Sequence, residues 1–138
     1  YEISLGLVGS EMCIRDRANW MRKQSAKEVG HACTIAEYMV KREATPKVDK
    51  VDVVPQGWGN SLEVFEHALE HEKHISKLID ELVYLASEEK DNATQDFLWK
   101  FVREQVEEEA GVQNIVNLLK KAGDSGILFI DAKLDGCK

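Results

Sequence analysis

Proline is nearly absent: only Pro46 and Pro55 occur in 138 residues, both within one short stretch. Long segments elsewhere carry no turn signal, and 31% of the residues are charged, which favours a helical protein over an all-β one. Cysteine is also scarce. Cys13, Cys33 and Cys137 are odd in number and widely spaced, with no C-x-x-C pair, so they suggest neither a disulfide framework nor a zinc knuckle. That usage fits a reducing compartment, and a cytoplasmic location is expected. No apolar run approaches the roughly 18 residues that span a bilayer. Residues 1–17 lack the basic start and continuous apolar stretch of a signal peptide. Positive charge is in deficit, 18 Lys and Arg against 25 Asp and Glu. The resulting net charge of −7 argues against nucleic acid or an anionic membrane as partner and is compatible with attracting cations.

What remains is a helical chain of one domain's length, able to bury roughly two thirds of its unfolded surface. Residues 1–17 read poorly as helix, because Gly6 and Gly9 interrupt the apolar positions. Over 18–42, Trp20, Gln24, Glu28, His31, Ile35 and Tyr38 recur at steps of three or four, the repeat of one helix face. Residues 43–60 form a long connection, with both prolines, Gly57, Gly59 and the alternating VDKVDVV run. Asn60 or Ser61 then caps a second helix reaching about Glu89, striped by Leu62, Phe65, Leu69, Ile75, Ile79 and Leu82. Asp91 or Asn92 caps a third, striped by Phe97, Phe101, Val112, Ile115 and Leu119 and ending near Gly123. The tail GILFIDAKLDGCK suits a short amphipathic helix. Three long helices, a tight link and one long crossover describe most of a four-helix bundle.

Each apolar stripe is broken near its middle by polar residues. Glu28 and His31 interrupt the first, Glu72 the second, Gln105 and Glu108 the third. Burying an unpaired carboxylate costs several kcal/mol even after relaxation, against a total stability of about 5–15 kcal/mol. Three carboxylates in one layer therefore need counter-charge, and no Lys or Arg occupies the stripes at that level. Iron, bound through oxygen and imidazole, is the economical solution. A single Glu or His on an apolar face is more often a partner in an ordinary buried hydrogen bond; three helices doing so together favour a metal.

The strings ANWMRKQSAKEVGH, LEVFEHALEHEKH, EEKDNATQDFL, EQVEEEAGVQNIV and KKAGDSGILFIDAKL, in this order, resemble the bacterial-type non-haem ferritins across residues 18–134. The resemblance implies an all-α, ferritin-like four-helix bundle with a long crossover and a short C-terminal helix. It implies a di-iron ferroxidase centre in which Glu28 bridges two irons, His31 ligates the first, Glu72 and Glu108 serve the second, and Gln105 stands nearby. Fe(II) would be oxidised by dioxygen or hydrogen peroxide, and ferric mineral stored in a homo-oligomeric shell of 24 subunits.

Several residues depart from that pattern. Glu104 and Glu107 match two carboxylates of a third iron site, but Lys27 replaces the third. Val29 stands where haem-binding relatives carry Met, so no haem is expected. The opening YEISLGLVGSEMCIRDR resembles translated sequencing adapter, so residues 1–17 are expected to be non-native, residues 18–138 to form the ferritin-like di-iron domain, and the first bundle helix to be largely missing or replaced. That helix supplies one more carboxylate ligand in the family. The alternative function is therefore an incomplete, catalytically impaired subunit acting only in assembly. A rubrerythrin-type peroxidase ranks below both, because E-x-x-H occurs once and no Cys-rich segment is present. His67, His71 and His74 share a helix face that could bind metal, although solvated surface or a subunit contact is the simpler reading. Trp58 is expected to anchor the long connection, and Cys33 to be a packing residue.

Overall fold

The described residues form three helices: α1 over Glu2–Lys41, α2 over Ser61–Glu88 and α3 over Asn92–Ala122. The computed structural model describes residues 2–50 and 57–122, with side chains over 17–50 and 57–121. No strand occurs among the described residues. The C-terminal tail, for which a short helix was expected, lies outside them, as does part of the long connection. The chain divides into two units, one built on α1 and one, starting at Gly57, built on α2 and α3.

In the first unit, α1 begins at Glu2, so residues 2–17 are helical where the sequence argued against it. Gly6 and Gly9 each cost about 1 kcal/mol relative to Ala, whereas a continuing helix gains a hydrogen bond per residue without a new nucleus. With no proline to stop it, propagation prevails. The C-terminus closes with Glu43 at φ 61°, its N–H donating to Val40 O (3.0 Å) and that of Ala44 to Met39 O (2.9 Å).

The second unit opens with a capping box. The Asn60 side chain accepts from Glu63 N (3.0 Å), and Glu63 Oε2 accepts from Asn60 N (2.7 Å). Gly59, at φ 76°, makes the approach possible, because a Cβ there would collide with the Glu63 carboxylate. The turn after α2 places Lys90 at φ 57°, and the next residue already caps α3: Asp91 accepts from Thr94 N (3.0 Å) and from the Thr94 hydroxyl (2.6 Å). So short a link makes α2 and α3 antiparallel neighbours. At the far end Lys120 Nζ meets Glu66 Oε1 at 2.7 Å.

The core of this unit repeats every seven residues. On α2 the buried line is Phe65, Glu72, Ile79 and Ala86, and on α3 it is Leu98, Gln105, Val112 and Leu119. Leu69 on α2 and Phe101, Ile115 and Val116 on α3 complete the contact, and Phe97 packs edge-on against Phe101 at 5.3 Å. A seven-residue repeat keeps the seam facing the partner along helices of this length. Leu82, expected in the stripe, falls beside this line and is 47% exposed.

Candidate metal centre

Glu72 and Gln105 occupy corresponding steps of the two buried lines, and each is only 4% exposed. Their positions follow from periodicity: Glu72 stands seven residues from both Phe65 and Ile79, and Gln105 seven from both Leu98 and Val112. Gln105 Nε2 donates to Glu72 Oε2 (3.1 Å), lies 3.2 Å from the Glu72 carbonyl oxygen and 3.4 Å from Ser76 Oγ. The Ser76 hydroxyl in turn donates to Glu109 Oε1. The amide orients the buried carboxylate but brings no charge to it.

Glu108 lies one turn beyond Gln105, on the line of Phe101 and Ile115, half-buried and with Oε1 shielded from solvent. Glu104 is also half-buried, Oε2 shielded, with Lys100 Nζ 3.8 Å away. Glu107 is exposed. On α1, Glu28 Oε2 lies 3.6 Å from His31 Nδ1, while Glu28 Oε1 is buried without a hydrogen-bond partner. Among the described residues no three carboxylate, imidazole or thiol groups gather around one point. The structure thus joins Glu72 to Gln105 and pairs Glu28 with His31, each within its own unit.

From sequence, Glu109 belongs only to an acidic run, Glu107 to Glu109, that could guide Fe(II) or simply be solvated surface, and Ser76 has no role; in the structure both extend the polar layer. Their signal was present in the spacing, since each stands four residues beyond a member of the layer, Glu72 and Gln105 respectively. Together with Gln105 they line a groove of 450 Å³ between α2 and α3, where Lys73 and Asp80 add charge of both signs. His67, His71 and His74 are exposed, in keeping with a solvated face. Trp58 packs its ring edge-on against His67, a contact that ties the end of the connection to α2. Cys33 is exposed rather than packed.

Glu72, Gln105 and Glu108 on α2 and α3 offer oxygen donors, and Glu28 with His31 on α1 a carboxylate and an imidazole, ligand types that iron accepts. Comparison with known proteins places the chain in a family. The ferritin-like domain family matches residues 10–122. A bacterial non-heme ferritin of Bacteroides fragilis is 64% identical over 117 residues, covering 85% of this chain and 74% of the relative. One from Escherichia coli O157:H7 is 30% identical over 119 residues, covering 85% and 72%. Among solved structures, an open pore ferritin from the hyperthermophilic archaeon Archaeoglobus fulgidus superposes with a TM-score of 0.84 at 39% identity, covering 89% of this chain and 77% of that one. A family match over most of the sequence, with relatives at this identity and a shared helical fold, establishes that the chain belongs to the ferritin family.

Proposed function

We propose that the chain serves iron storage by oxidising Fe(II) at a di-iron centre and passing ferric product to a mineral held in a homo-oligomeric shell of 24 subunits in the cytoplasm. The observation that carries this reading is the buried Glu72–Gln105 contact, a carboxylate set into an apolar seam and held by a neutral donor. Iron is the substrate. Glu28, His31, Glu72 and Glu108 would bind it, with Gln105 fixing the Glu72 carboxylate through its amide. Each of two Fe(II) ions gives up one electron, and dioxygen takes both with two protons to leave hydrogen peroxide. Peroxide as oxidant takes two electrons and two protons to leave two waters. Apolar neighbours such as Phe65, Phe101 and Val112 exclude water from the layer and strengthen each charge interaction within it. Glu104 and Glu107 would supply two carboxylates to an auxiliary iron, whose third position in the family is taken here by Lys27. Haem plays no part in this reading, since Val29 offers no sulfur ligand.

A second reading, a subunit that assembles without oxidising iron, is favoured by one fact: among the described residues no three ligand-type side chains gather around one point. Stopped-flow oxidation of Fe(II) separates the two. The chain as it stands should oxidise Fe(II) faster than Glu28→Ala, Glu72→Ala and Glu108→Ala variants. Equal rates in all four would remove the ferroxidase and leave the assembly role.

A further inference from the structure

The exposed histidine face of α2 lies outside the polar layer and is richer in nitrogen. His67 and His71 stand at i and i+4, so their Cβ atoms lie about 5–6 Å apart on one face. Helices of the H-E-x-x-H type use this same spacing to hold a zinc ion between two imidazoles. Between them sits Glu70, whose Oε2 lies 3.7 Å from His67 Nδ1. That is ion-pair range; a carboxylate that closes to hydrogen-bond distance of one ring nitrogen orients a metal-binding histidine, because it fixes the ring and turns the other nitrogen toward the ion. Trp58 adds a second restraint, with its ring 5.8 Å from that of His67 at 71°. The platform beneath Trp58 is itself shaped by Gly57 and Gly59 at positive φ and by the capping box.

We propose that His67 and His71 form a surface chelate for a divalent transition-metal ion of the zinc, nickel or copper class, with Glu70 orienting His67 and water completing the coordination. Two imidazoles select such borderline ions over magnesium or calcium, and the adjacent carboxylate favours positive charge. The His67 and Glu70 side chains are 57% and 80% exposed, so a metal ion and the waters that complete its coordination reach them directly from solvent. His74, one turn beyond His71, is not required. The site is independent of the iron centre, whose oxygen-rich ligands lie on the buried stripes.

Zinc titration of the full chain in competition with a chromophoric chelator tests the site. His67→Gln and His71→Gln should each lower the bound zinc by one equivalent per chain, whereas His74→Gln should not. Glu70→Gln should weaken that equivalent about tenfold, the loss typical of removing a carboxylate behind a histidine ligand. In the unsubstituted chain, the imidazole resonances of His67 and His71 should shift together on adding the first equivalent assigned to this face, a readout that needs no variant to fold. Unchanged stoichiometry in the His67 and His71 variants, loss of the same equivalent in His74→Gln, or stationary imidazole resonances would each overturn the proposal. Fe(II) oxidation by His67→Gln should match that of the unsubstituted chain, so failure here and failure of the iron reading remain distinguishable.

Discussion

Gln105 Nε2 reaches Glu72 Oε2 at 3.1 Å from the opposite helix, so a neutral amide and a carboxylate share a site closed to solvent. The pair sets stability against function. Glu72→Gln removes a buried charge while keeping a hydrogen-bonding side chain of the same size, and should raise the metal-free chain's stability by on the order of 1 kcal/mol. The same change should slow Fe(II) oxidation. Gln105→Leu removes the donor and leaves the carboxylate's desolvation less compensated, lowering stability by about 1–3 kcal/mol. Urea midpoints measured without metal check both signs; a loss of stability in Glu72→Gln would show that the carboxylate is better compensated than the amide contact implies.

The two glycines before α2 should respond differently to the same substitution. Both have positive φ, so Ala at either position is strained by about 1–2 kcal/mol. At Gly57 a Cβ meets nothing, whereas at Gly59 it displaces the Glu63 carboxylate and opens half of the capping box. Gly59→Ala should therefore cost about 1 kcal/mol more than Gly57→Ala, as a cap typically contributes. Thermal unfolding of the two variants side by side measures the difference, and equal midpoints would mean that the box contributes nothing.

Asp91 holds the start of α3 by accepting from both the backbone N–H and the hydroxyl of Thr94. Asp91→Ala should lower stability by about 1 kcal/mol, and Asp91→Asn by less, since Asn caps nearly as well. Circular dichroism during urea titration reports both, and matching values for Ala and Asn would exclude a capping role.

The sequence conveyed the helical class, the two caps and the polar interruptions because each is local: a step of three or four, an Asn or Asp before an apolar run, a Glu among leucines and phenylalanines. It misjudged what depends on propagation or drift. Gly6 and Gly9 looked like breaks, yet a helix already under way passes through them. Leu82 fitted a step of three from Ile79, but the seam follows the seven-residue line to Ala86 instead. Ser76 and Glu109 do not stand out as part of the layer, because a serine and a glutamate in an acidic run are common on solvated faces; only the facing helix shows that they meet. Glu28 and His31 were legible as a pair at helical spacing, and α1 places them 3.6 Å apart.

The seven-residue repeat of α2 and α3 has a consequence for how the two helices find their alignment. Leucine, isoleucine and valine are nearly interchangeable along such a seam, so a slip by one repeat, about 10 Å along the axis, keeps most apolar contacts. The polar step removes that freedom. After a slip, Glu72 would face Leu98 or Val112 and Gln105 would face Phe65 or Ile79, so a buried carboxylate and a buried amide would both lose their partners. A single polar residue in an otherwise apolar seam is enough to choose one register in paired helices. In this chain Glu72 and Gln105 are the notch that sets one helix against the other.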